Sequence, residues 1–90
     1  MIQVQVTQTD IAYGYRYDRK RCPIACAIIT ATGEAFNVEV FGTHVNIGGK
    51  AYWLPAIARE FLERFDRLKD VQPINFQLDH EKPRELHHGY

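Results

Sequence analysis

The stretch Leu54-Pro55-Ala56-Ile57-Ala58-Arg59-Glu60-Phe61-Leu62-Glu63-Arg64-Phe65-Asp66-Arg67-Leu68-Lys69 sets the architecture of the chain. Leu54, Ile57, Ala58, Phe61, Leu62, Phe65 and Leu68 recur at spacings of three and four, with Arg59, Glu60, Glu63, Arg64, Asp66, Arg67 and Lys69 between them. A period of about 3.6 residues gathers the first set on one stripe and turns the second to water, which predicts an amphipathic helix over residues 55–69. Pro55 suits its first turn, where a missing N–H forfeits no hydrogen bond. Glu60 with Arg64, and Glu63 with Arg67, stand in the favoured order four apart, worth about 0.2–0.5 kcal/mol each.

On both sides of this helix the period drops to two. Upstream, Phe36, Val38 and Val40 alternate with Asn37, Glu39 and Phe41, and Val45 and Ile47 with His44 and Asn46, before Ala51-Tyr52-Trp53. Gly42-Thr43 and Gly48-Gly49 supply the turns, so residues 34–54 are expected to form a meander of three antiparallel strands. Downstream, Val71-Gln72-Pro73 breaks the helix, and Ile74, Phe76 and Leu78 alternate with Asn75, Gln77 and Asp79 in another strand. Ile2, Val4 and Val6 do the same with Gln3, Gln5 and Thr7.

Between the first strand and the meander, Thr9 and Asp10 can each cap a helical turn through Tyr13, and Gly14 can stop it by adopting positive φ. Cys22-Pro23 then opens a short buried helix over 23–31, with Ile24, Ala25, Ala27 and Ile28 as its apolar face, although Ile28, Ile29 and Thr30 are β-branched. The expected fold is a single α+β domain over residues 1–79. In it a mostly antiparallel sheet of about five strands carries the long helix 55–69 on one face, with the short helix 23–31 beside it. A polar, frayed tail is expected over 80–90.

Composition narrows the function. Ninety residues with eleven Lys plus Arg against eleven Asp plus Glu fit one domain with no net charge, which argues against a general polyanion binder. At 46% hydrophobic the chain is too apolar for intrinsic disorder, and no run approaches the roughly 20 apolar residues a bilayer needs, so no membrane partner is expected. The alternation from Met1 to Val6 has neither the basic start nor the apolar run of a secretory leader, so a cytoplasmic location with reduced thiols is expected. Serine is absent, which excludes a serine nucleophile.

Cys22 and Cys26, four apart, suit zinc in spacing, yet His44, His80, His87 and His88 offer no second ligand pair at metal-site spacing. They are expected to be packing thiols, with no metal and no cofactor. Cys22 at a helix start, after Arg19, Lys20 and Arg21, has surroundings that favour a thiolate. A nucleophile also needs a positioned base, and no Cys-His-Asn pattern supplies one, so no catalytic residue is assigned and the chain is read as non-enzymatic. Gly48-Gly49-Lys50 lacks the spacing of a phosphate loop and is explained by a hairpin turn.

Binding is a better-founded expectation. Tyr13, Tyr15 and Tyr17 are interleaved with Arg16, Arg19, Lys20 and Arg21, against Asp18 alone. This mixture suits stacking on bases with pairing to phosphates, and it is equally the composition of protein–protein hot spots; a plain solvated loop explains it too. Phe41 and Trp53 share the parity of the wetter sheet face with Asn37, Glu39, His44, Asn46 and Gln77, and two neighbouring aromatics there make a contact patch. The candidate partner-binding residues are therefore Tyr15, Arg16, Tyr17, Arg19, Lys20, Arg21, Phe41 and Trp53. A protein and a nucleic acid both stay open as partners. A homodimer through an exposed sheet edge or the open face is also compatible with the pattern.

Several segments together carry a family resemblance: Val4-Gln5-Val6-Thr7-Gln8 with Asp10-Ile11 and Gly14, and Cys22-Pro23-Ile24-Ala25 with Ala27-Ile28. It continues through Gly49-Lys50-Ala51-Tyr52-Trp53-Leu54-Pro55, Ala58-Arg59, Phe61, Arg64-Phe65-Asp66, and Val71-Gln72-Pro73 with Phe76 and Leu78. In these the chain resembles a group of small uncharacterised bacteriophage and prophage proteins. It departs from them in a longer, more basic connection over 15–21 and in Cys26, where Leu is usual. The resemblance implies a viral accessory protein acting in the host cytoplasm. Its expected role is to bind a host or phage protein and inhibit a defence system, in the manner of anti-CRISPR proteins.

Overall fold

The computed structural model describes residues 1–34 and 37–82. Phe36, expected in the second strand, His87, His88 and the rest of the tail from 83 onward lie outside the described residues. Eight elements follow in chain order: β1 (Ile2–Val6), α1 (Gln8–Tyr13), α2 (Pro23–Thr32), β2 (Val38–Val40), β3 (His44–Ile47), β4 (Lys50–Trp53), α3 (Ala56–Asp66) and β5 (Ile74–Leu78). The α+β class and the antiparallel pairing agree with the sequence.

The single five-stranded sheet does not form. β1 pairs with β5, from Ile2 opposite Leu78 to Val6 opposite Ile74, while β2, β3 and β4 make a separate meander. The reason lies just after Leu78, where the chain leaves β1 and crosses to β4. Trp53 N–H donates to His80 O at 3.0 Å and Lys82 N–H to Ala51 O at 2.7 Å, around a bridge between Tyr52 and Glu81. Residues 80–82, expected to begin a frayed tail, are therefore hydrogen-bonded to β4 and link the two sheets.

The helices also differ from expectation. The helix predicted over 55–69 ends at Asp66, because Leu68 takes a left-handed φ of 62°. Leu68 consequently leaves the apolar stripe and is 73% exposed. Arg64 donates from Nε and Nη2 to the Asp70 carbonyl across that turn. α3 buries Ala58, Phe61, Leu62 and Phe65 and packs on β5. It is α2, read as the minor helix, that lies against both β1 and β2 and also holds α1. Pro23, Ile24, Ala25, Ala27 and Ile28 are all buried in the core it shares with Val4, Val6, Val38, Val40, Val45 and Leu78. Its small residues let the helix approach the strands closely, and its few polar groups leave little to keep it at the surface.

Local chemistry explains the helix ends. Thr7, rather than Thr9 or Asp10, caps α1: its Oγ1 accepts Asp10 N–H at 3.2 Å while Asp10 Oδ2 accepts Thr7 N–H at 2.9 Å. Gly14 ends α1 at φ −72°, so positive φ is not what requires glycine there. A Cβ at Gly14 would lie 2.6 Å from the Pro23 ring, and it is this contact between the start of α2 and the end of α1 that excludes a side chain. Gly48 and Gly49, at φ 56° and 88°, do provide the left-handed turn that joins β3 to β4 with the right twist.

Candidate functional site

The connection from α1 to α2 is ordered by its own backbone. Asp18 Oδ1 accepts the N–H groups of Lys20 and Arg21 at 2.9 and 3.0 Å, and the Asp18 carbonyl accepts Cys22 N–H at 3.1 Å. Tyr15 N–H donates to Arg21 O at 2.8 Å, which draws the two ends together. Tyr17 sits at φ 57° and is 76% exposed, and its N–H donates to Asp66 Oδ1 at 3.0 Å. The last residue of α3 thus tethers the tip of the loop.

The loop meets the meander at Arg19. The Arg19 carbonyl accepts Val40 N–H at 2.8 Å, covering part of the free edge of β2. Its guanidinium lies 4.7 Å from the centroid of Phe41. The Phe41 ring is stacked on His44 at 4.7 Å, with 17° between planes, and His44 is the cross-strand partner of Trp53. Lys82 Nζ stands 5.4 Å from the Trp53 ring. Arg19, Phe41, His44, Trp53 and Lys82 therefore form a row in which cations border aromatic rings, each such contact worth about 0.5–1 kcal/mol at exposed sites. Arg21 lies 5.9 Å from the Tyr15 ring in the same manner.

The two surfaces picked out from the sequence, the basic tyrosine-rich loop and the face bearing Phe41 and Trp53, are thus contiguous. Arg16, Lys20 and Arg21 are exposed on the same loop, and none of the four loop cations has a carboxylate ion-pair partner among the described residues. Asp18 and Asp66, the nearest acids in the geometry above, bond backbone N–H groups instead. His44 was legible as a member of this face from its parity with Phe41 and Trp53. Lys82 and Asp66 carry no local signal, since each reaches the site from a distant part of the chain.

Beneath the loop, Tyr17, Arg19, Cys22, Phe41, Leu62 and Asp66 line a cleft of about 290 Å³. Cys22 corrects an expectation. Its thiol is buried, and desolvation pushes its pKa up from 9.0 to about 11, outweighing the N–H groups of Ala25 and Ile24 that favour the anion. Its Sγ caps α2 by accepting Ala25 N–H at 3.4 Å. Cys26, half-buried, is likewise raised, chiefly by burial, and its Sγ contacts the Arg21 carbonyl. The loop cations do not produce a thiolate because burial dominates. Among the described residues no three His, Cys, Asp or Glu side chains converge as metal ligands, and no helix is long and apolar enough to cross a membrane.

The chain matches no protein-family model, no curated protein and no solved structure.

Proposed function

We propose that this protein is a small, non-enzymatic accessory protein of phage type that binds a host or phage protein through the joined loop and sheet face. Its expected action is inhibition of a host defence system, as anti-CRISPR proteins act. The observation that carries this reading is the Arg19 guanidinium at 4.7 Å from Phe41, which makes one surface of two. That surface offers exposed Tyr and Trp rings and unneutralised Arg side chains, the residue types that dominate protein–protein hot spots, and its charge favours an acidic partner. The resemblance to phage and prophage proteins supports a target in the infected cell.

The geometry favours a protein over a nucleic acid. Base stacking needs free ring faces, and two rings of this surface are already engaged: Phe41 has His44 stacked on it and Arg19 over it, and Arg21 borders Tyr15, which leaves chiefly Tyr17. The zero net charge also withholds the broad field that phosphate binding draws on. The test is affinity capture from infected host cells with the wild type and an Arg16/Arg19/Lys20/Arg21→Ala variant. The wild type is expected to retain a specific protein that the variant loses. Capture of the same partners by both forms refutes the surface, and a retained nucleic acid whose binding falls steeply with salt refutes the protein reading.

A further inference from the structure

We infer that the cleft beneath the loop receives one long basic side chain, lysine or arginine, of the bound protein. The inference rests on the reading of the loop and sheet face as a protein-binding surface, and adds what the partner must present there. The cleft holds about 290 Å³, at the bottom of the roughly 300–1,000 Å³ of sites for drug-sized ligands, which suits a single side chain. Gly42, Leu62 and Asp66 also line a second cleft of about 370 Å³, so the two adjoin. Packing within the chain does not account for Gly42. Its φ lies outside the left-handed region, and a Cβ there would meet no atom within 4 Å. Neither turn geometry nor a close neighbour calls for glycine, and its bare backbone keeps the junction of the clefts open.

The chemistry of the lining selects the occupant. Cys22, Val40 and Leu62, all buried, give apolar walls against which an aliphatic stem can lie. Asp18 and Asp66, both half-buried, line the same cleft. Each uses Oδ1 to accept backbone N–H groups, and neither pairs with a Lys or Arg side chain among the described residues. Arg19, the one cation of the lining, has its guanidinium over the Phe41 ring. Two carboxylates against one guanidinium leave the cleft negative inside an otherwise basic loop. A basic head group is complementary to it, whereas a carboxylate is repelled. The outward cations thus select an acidic surface, and the cleft selects one basic residue within it.

NMR titration of the full chain with the N-acetyl amides of arginine, lysine, norleucine and glutamate tests this. The arginine and lysine compounds are expected to shift the backbone amides of Tyr17, Gly42 and Asp66, with Kd on the order of a millimolar. Norleucine amide, which has the stem without the charge, is expected to bind roughly tenfold more weakly, and glutamate amide not at all. Asp18→Asn/Asp66→Asn keeps acceptors for the N–H groups of Tyr17, Lys20 and Arg21 while removing both charges, and is expected to lose about the same tenfold. Gly42→Leu puts a side chain at the junction of the clefts and is expected to abolish the shifts with circular dichroism unchanged. Norleucine or glutamate amide binding as well as arginine amide overturns the inference, as does an asparagine variant that binds arginine amide undiminished. In capture from infected cells, a protein lost by the Arg16/Arg19/Lys20/Arg21→Ala variant but retained by Gly42→Leu overturns the cleft and leaves the surface standing. Amide binding to the cleft with no protein captured by the wild type overturns the surface instead.

Discussion

α2 and α3 are nearly equal in length, and they fill opposite roles. α3 announces itself in the sequence because one of its sides is charged, and that charged side is the mark of a helix lying at the surface. α2 has weak periodicity because nearly every position is apolar or small, and it sits between β1 and β2 at the centre of the core. A clear amphipathic pattern therefore located the helix that covers the domain, while a blurred one marked the helix around which the domain is built.

The contrast is open to direct attack. Ile28 in α2 is 0% exposed and Leu62 in α3 is 9% exposed. Ile28→Ala is expected to cost about 3–4 kcal/mol and Leu62→Ala about 2, out of the roughly 5–10 a domain of this size holds. Urea denaturation of the two variants checks the order, and equal losses would erase the distinction between the helices.

Alkaline titration sharpens it through the cap of α2. The Cys22 pKa stands at about 11 in the folded state against an ordinary 9.0. Between those values the unfolded chain has released the proton and the folded chain retains it. Stability is thus complete below pH 9.0 and declines as pH rises toward 11, by on the order of 2–3 kcal/mol. Comparing denaturation of wild type and Cys22→Ala across this window isolates the effect, because the variant is expected to lose the extra alkaline slope.

The smallest effect belongs to the exposed side of α3. Arg67 and Glu63 approach to 3.3 Å with both side chains more than 60% exposed, so Glu63→Ala is expected to change stability by no more than about 0.5 kcal/mol. A melting temperature shifted by many degrees would show that this face bears on the core after all.

What the sequence disclosed follows the same division. Alternation located four of the strands, the Gly48-Gly49 turn located the fifth at Ala51-Tyr52-Trp53, and together they gave the parity that sets Phe41 beside His44 and Trp53, because these signals need no knowledge of distant contacts. The split of the sheet was hidden: it depends on residues 80–82 crossing to β4, and His80-Glu81-Lys82 is polar enough to read as the start of a tail. The end of α3 was hidden as well, since nothing in Arg67-Leu68-Lys69 signals a left-handed leucine. For the binding surface, residue types were legible in the loop and on the sheet, whereas their meeting through Arg19 is a tertiary fact. The Cys22 environment was misjudged because sequence displays neighbouring charges and conceals depth.

The pairing of Val6 with Ile74 and Ile2 with Leu78 also dictates an order of events during synthesis. β1 leaves the ribosome well before β5, its ladder partner, which is made only after α2, the meander and α3. Until then the apolar side of β1 has α2 to rest on, and its hydrogen-bonding edges have no β5. Long-range closures of this kind form late and slowly. The domain is thus completed after translation has passed Leu78, and a nascent chain stalled before β5 exposes both edges of an uncharged strand.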